Sequence, residues 1–176
     1  CATCDGPLYM NQVVAVAGGG DSAADEALTL TEYCERVLLV HRTDSLSAQQ
    51  SLVNRVGDNR KIEVVWNTVI EEVLGQDTVS GLRMRNVVTN LENAMELSGL
   101  FVYVGLEPNS SIVEGLLKTD NSGHIPTNVS METEVPGVYA VGDLRQNSSS
   151  QLVSAAGDGA TAAVAAFKYI SAKNWN

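Results

Sequence analysis

Cys1 and Cys4 enclose Ala2 and Thr3, a Cys-x-x-Cys spacing that suits reversible disulfide chemistry. A dozen residues later, Val13-Val14-Ala15-Val16-Ala17 runs into Gly18-Gly19-Gly20-Asp21-Ser22-Ala23, an apolar strand that ends in a glycine turn of nucleotide-binding type. Each motif alone is ambiguous, because a cysteine pair also serves metals and a glycine triplet serves any tight turn. Their juxtaposition points to one chemistry, the passage of two electrons from a nicotinamide to a disulfide.

Gly18, Gly20 and Ala23 fall on the G-x-G-x-x-A positions. The first glycine makes the turn, the second lets backbone approach a pyrophosphate, and the small third residue packs helix against strand. The helix start then offers amide hydrogens and a positive dipole end to the phosphates. A doubly wound domain that binds no phosphate is the competing reading. About 20 residues on, where an NAD-selective fold places a carboxylate against the ribose 2′-hydroxyl, the chain reads Val40-His41-Arg42-Thr43. A cation there favours a 2′-phosphate, hence NADPH. A solvated strand-end Arg42 is the plainer alternative, and Asp44 turned inward would select NADH.

The remaining chemistry-bearing residues are read against ordinary roles. A zinc half-site at the dithiol would need a second ligand pair, and Cys34, His41 and His124 have no metal-like spacing. Cys34 reads as a buried helix residue, His41 as a strand-end contact to nucleotide, and His124 as a surface or strand residue. Asp5-Gly6 is a turn signal, yet its place beside the cysteines makes Asp5 a candidate proton donor or acceptor.

The elements that must position these groups follow from periodicity. Strand, glycine turn and helix are followed by Arg36 to Arg42, an apolar run suited to a buried parallel strand, so residues 12 to 42 read as one βαβ unit. Ala23, Ala27, Leu30 and Cys34 recur at helical spacing. Ser47 to Val56 reads as a second helix and Ile62 to Trp66 as a third parallel strand. Alternating runs at Ile70 to Leu74, Gly81 to Val88 and Ala94 to Leu97 predict an antiparallel meander, and Leu100 to Gly105 returns to a continuous apolar strand. Beyond Pro108 the chain is rich in Asn, Ser, Gly and Pro, with short strands expected at His124 to Thr127 and Gly137 to Val141. Gln151 to Ile170, rich in Ala and Gly, predicts a helix that packs closely on a sheet or ligand.

Composition narrows the class. The 176 residues are 44% hydrophobic, ordinary for a globular protein. A formal net charge of −10 repels phosphate backbones, so nucleic acid is not an expected partner. No apolar run approaches the roughly 20 residues of a membrane span, and three cysteines are too few for a disulfide-stapled scaffold. The expected setting is the reducing cytosol, away from the membrane. The chain opens at Cys1 without an initiator Met, and is read as a fragment.

Four motifs in order, Cys1 to Gly6, Gly18 to Ala23, Phe101 to Gly105 with Pro108-Asn109, and Pro136 to Asp143, resemble the low-molecular-weight, flavin-dependent thioredoxin reductases. The resemblance implies an α/β protein: a Rossmann-like nicotinamide-binding domain with a parallel sheet and an antiparallel meander, then the C-terminal part of an FAD-binding domain. The boundary is expected at 105/106, with the N-terminal part of the FAD domain missing. It also implies electron flow from NADPH through FAD to the Cys1–Cys4 disulfide and on to a thioredoxin-like protein, in a homodimer. Cys4 would face the flavin, with Asp5 handling the proton. Gly105 belongs to one shared motif. Gly142 and Asp143 would meet the FAD ribitol or pyrophosphate, and Gln151 and Leu152 the flavin edge. The chain departs from the family where Thr43 and Ser47 stand in place of arginines and where Ser150 replaces an Arg before Gln151, which leaves NADH or another donor open. A nicotinamide-binding module without turnover is the alternative from outside enzymology.

Overall fold

The structure, a computed structural model, describes residues 1–172. The chain divides into two compact units, Cys1–Gly105 and Leu106–Asn176.

The first unit opens with a single helical turn, α1 (Ala2–Asp5), and a 3-10 turn (Gly6–Tyr9). Strand β1 (Val13–Gly18), helix α2 (Asp21–Leu30), strand β2 (Arg36–Val40), helix α3 (Gln50–Asp58) and strand β3 (Ile62–Val65) follow. Then come β4 (Thr68–Gly75), β5 (Val79–Asn86) and β6 (Glu92–Glu96), and β7 (Gly99–Tyr103) closes the unit. Strands β3-β2-β1-β7 form one sheet whose pairings are all parallel, and β4-β5-β6 form an antiparallel sheet of three.

Side chains alternate across a strand, so the central strands divide their apolar residues between two layers. Val14, Val16, Val37 and Leu39 pack with Ala23, Ala27 and Leu30 of α2. Ala15, Leu38 and Val40 pack with Leu82 and Met84 of the antiparallel sheet. Burial on both faces is why β1 and β2 read as unbroken apolar runs. The parallel order and the meander are those expected from the sequence.

Two expectations for this unit are corrected. The helix expected from Ser47 starts at Gln50, because the Ser47 and Ala48 amides donate to the Gly19 carbonyl and the Gln49 amide donates to Asp21 Oδ1 at 2.7 Å. Those bonds pull residues 47–49 onto the glycine turn and out of the helix. Cys34 is buried but lies beyond the end of α2, after the turn at Thr31–Tyr33. Its carbonyl and that of Thr31 accept from Lys61 Nζ.

The second unit has 3-10 turns at Ser110–Val113 and Gly142–Leu144 and one long helix, α4 (Leu152–Ala172). The strands expected at His124 to Thr127 and Gly137 to Val141 reduce to isolated bridges, Ile125↔Arg145 and Glu132↔Tyr139. Short apolar runs broken by Pro126, Pro136 and Gly137 cannot extend a ladder. Leu117, Ile125 and Ala140 form its core.

Candidate functional site

In the first unit the glycine turn joins the end of β1 to the start of α2. Gly18 has φ +146°, and a Cβ there would overlap the Tyr103 carbonyl and lie 2.8 Å from Ala23 Cβ. Glycine at 18 and a small residue at 23 are therefore dictated by how closely β7 and α2 approach. Gly19 accommodates the His41 ring, which any Cβ would strike, whereas a Cβ on Gly20 would meet only Ser47 Oγ, 3.8 Å away. No side chain caps the α2 start, so the first-turn amides at Asp21, Ser22 and Ala23 face outward as helix-terminal donors. An open glycine backbone leading into an uncapped helix start fits a pyrophosphate.

Asp21 does not cap its own helix. Its carboxylate accepts from the Gln49 amide at 2.7 Å and from Gln49 Nε2 at 2.9 Å, and these bonds lower its pKa below the ordinary carboxylate value. It thereby ties the segment before α3 to the glycine turn. At the end of β2, the Thr43 hydroxyl donates to the Ser45 carbonyl at 3.0 Å and meets His41 Nε2 at 2.8 Å. His41 also lies edge-on to Trp66 at 6.5 Å. Arg42 and Asp44 are exposed. Thus His41, Thr43, Ser47 and Asp21 converge on the glycine turn, and Arg42 is left at the rim. Gly105, the last residue of the unit, has φ +108° with nothing within 4 Å of a Cβ.

The dithiol sits on α1. Cys1 and Cys4 are exposed free thiols, while Ala2 between them is fully buried against the core under α2. Asp5 is exposed, with one carboxylate oxygen 3.5 Å from the Cys1 amino group. Gly6 is buried because a Cβ there would press on Tyr33. Glu26, which no sequence motif singles out, and Tyr103, from the Phe101–Gly105 motif, lie beneath this helix: the Ala2 amide donates to Glu26 Oε2 at 2.5 Å. Only the packing of Ala2 on α2 brings the two side chains to the dithiol. Among the described residues, no three His, Cys, Asp or Glu side chains group to hold a metal.

In the second unit, Gly142 opens the 3-10 turn with φ +67°, and a Cβ would lie 3.3 Å from Ala155 of α4. The adjacent Asp143 is exposed and accepts only a long bond from Ser148 Oγ, 3.4 Å. Gln151 and Leu152 stand at the start of α4, both exposed. The group that fixes this turn was missed from sequence. Asp158 is buried and receives a two-pronged bond from Arg145, Nε at 2.6 Å and Nη2 at 3.0 Å, plus the Gly142 amide at 3.1 Å. The Arg145 fork, more than any other contact, lowers the Asp158 pKa. An exposed carboxylate on a turn held this firmly fits the hydroxyls of a polyol, such as that of a flavin nucleotide.

Comparison with known proteins gives a consistent result. The pyridine nucleotide-disulphide oxidoreductase family matches residues 2–160. A thioredoxin reductase of Listeria monocytogenes is 42% identical over 171 residues, 97% of this chain and 54% of that protein. One from Peptoclostridium litorale is 43% identical over 176 residues, 97% of this chain and 56% of that protein. The crystal structure of thioredoxin reductase from Streptococcus pyogenes matches with a TM-score of 0.87 at 40% identity, covering 98% of this chain and 56% of that one. The chain therefore spans about half the length of the relatives it matches.

Proposed function

The chain belongs to the pyridine nucleotide-disulphide oxidoreductases, and on that footing we propose that it carries the nicotinamide-binding and dithiol portion of a thioredoxin-disulfide reductase. In this reading residues 1–105 are the NAD(P)H-binding domain and residues 106–176 the C-terminal portion of an FAD-binding domain. The carrying observation is the seating of the dithiol helix α1 on α2, the helix that opens at the glycine turn. A redox pair and a dinucleotide cradle thus share one rigid layer.

When bound, NADPH and FAD supply the hydride and relay its two electrons to the disulfide. Gly18 to Ala23 would hold the pyrophosphate, with His41, Arg42 and Thr43 toward the adenosine ribose. Gly142, Asp143, Gln151 and Leu152 would serve the flavin nucleotide. The protein's own chemistry is thiol exchange. The Cys1 thiolate attacks a partner disulfide, a mixed disulfide forms, and Cys4 displaces the partner dithiol while Asp5 takes up or returns a proton. The partner is a small thioredoxin-like protein, and a cytoplasmic homodimer is the setting that accompanies this reading.

A pre-reduced chain mixed with oxidised thioredoxin should reduce about one equivalent of its disulfide. Cys4→Ser should stop at a mixed disulfide visible by mass. A folded Cys4→Ser chain that releases reduced thioredoxin as fast as the parent would sink the assignment.

A second reading concerns the donor. Thr43 and Ser47 are committed to local bonds with His41, Ser45 and Gly19, and neither brings a charge to a 2′-phosphate. If Arg42 alone selects NADPH, Arg42→Ala should lower the NADPH-to-NADH affinity ratio roughly tenfold, measured by fluorescence titration. A parent chain that binds both equally favours NADH or a relaxed donor.

A further inference from the structure

The turn that carries the dithiol is held by α2: the Ala2 amide, between the two cysteines, donates to Glu26 Oε2 at 2.5 Å. Glu26 lies 24 residues away on α2 and is half-buried. The Tyr103 phenol, at the end of β7, sits against the same carboxylate and the same amide. Burial foremost, and then the Glu26 charge, push this phenol up to about 12, so it remains a donor at neutral pH. Ala2 fills the core below while Cys1 and Cys4 stay exposed.

Neither Glu26 nor Tyr103 is used by its side chain in the nucleotide cradle or the exchange step. We propose that Glu26, with Tyr103 behind it, is the positioning residue of the dithiol, holding the Ala2 amide from α2 and thereby setting how readily Cys1 and Cys4 close to a disulfide. The inference rests on the reading that this pair cycles. Two effects act in the same direction. The anchor keeps the cysteines one helical turn apart, so removing it widens their separation and disfavours closure. Removing a carboxylate from beside the dithiol also eases ionisation of nearby thiols, which favours the reduced form.

The test is a redox titration of the full chain in glutathione buffers, with acid quench, alkylation and mass analysis of the peptide carrying both cysteines. In the titrated step the two thiols give up two electrons and two protons, and one oxidised glutathione becomes two reduced molecules. Glu26→Ala should lower the equilibrium constant for closure about tenfold, which is about 30 mV for this two-electron couple. Glu26→Gln still offers an oxygen to the Ala2 amide and should recover most of that loss, ending within about threefold of the parent. A folded Glu26→Ala chain within twofold of the parent overturns the proposal. If Glu26→Ala does not fold, Glu26→Leu, which keeps the bulk but offers no oxygen to the Ala2 amide, decides: a fall of fivefold or more at an unchanged melting temperature supports the proposal, and a value within twofold of the parent overturns it. A parent chain that never closes Cys1 to Cys4 overturns the dithiol reading and this inference together, whereas a closing parent with unmoved variants overturns this inference alone.

Discussion

The two units are held by different forces. Residues 1–105 bury both faces of a parallel sheet, one under α1, α2 and α3 and the other under the antiparallel sheet. The second unit has a core of Leu117, Ile125 and Ala140 with a few partly buried neighbours. Its α4 runs for 21 residues and buries only Asp158, leaving Leu152 90% and Phe167 72% exposed. Order in the first unit comes from removing apolar surface from water. In the second, the helix is tied to the Gly142–Leu144 turn by a charged fork, whose gain is offset by the desolvation of both ions. A unit with so little core has a small margin against unfolding.

Truncating one large side chain in each unit separates the two modes of support. Leu39 is fully buried between β1, α2 and α3, so Leu39→Ala should cost about 2 to 5 kcal/mol in denaturant unfolding. Phe167→Ala, on an exposed face of α4, should cost within about 0.5 kcal/mol. A large loss at Phe167 would mean that α4 is covered in solution by a surface beyond its own unit.

The fork supplies a second test. Asp158→Asn removes the charge that Arg145 and the Gly142 amide converge on, and should lower the melting midpoint of the second unit by several degrees, on the order of 5 °C. Acid should do the same selectively. The Asp158 pKa is depressed in the folded chain, so its stabilisation is fully present above the unfolded carboxylate value near about 4 and is lost as pH falls through the folded value. Hydrogen exchange at pH 3 against pH 6 should then show α4 opening while β1 and β2 stay protected. Equal loosening of both units would contradict the contrast.

What was legible in the sequence divides along the same line. Strands β1 and β2 are buried runs with one apolar letter after another, and β4 to β6 alternate, so local pattern and tertiary burial agree there, whereas the apolar run of β7 leaves Val102 exposed. The glycine turn and the dithiol were legible because their geometry is local: glycine where β7 and α2 crowd Gly18, cysteines one turn apart. The start of α3 was not, because the Gly19 carbonyl and Asp21, far back in the sequence, capture the preceding amides of Ser47, Ala48 and Gln49. Glu26 and Asp158 were not legible for the same reason. Glu26 stands at no motif position and gains its contact only where Ala2 packs on α2, and Asp158 sits in Ala-Gly-Asp-Gly-Ala, which reads as a stripe of small residues. The short strands expected between residues 124 and 141 failed because nothing long enough pairs with them.

The smallest expected effect concerns why α4 carries glycines at all. Gly157 and Gly159 lie inside the helix, where each costs roughly 0.5 to 1 kcal/mol relative to alanine, and no atom of their own unit lies within 4 Å of a Cβ built on either. Within the unit, then, nothing requires them. Gly157→Ala should stabilise the chain by about that amount if the face is open to water, read as a rise in the denaturant midpoint. If Gly157→Ala destabilises instead, something approaches the helix backbone closely in solution, and the exposed side chains of α4 belong to that contact rather than to solvent. The sign of this one change therefore separates an α4 that is marginal in itself from an α4 whose composition answers to a neighbour.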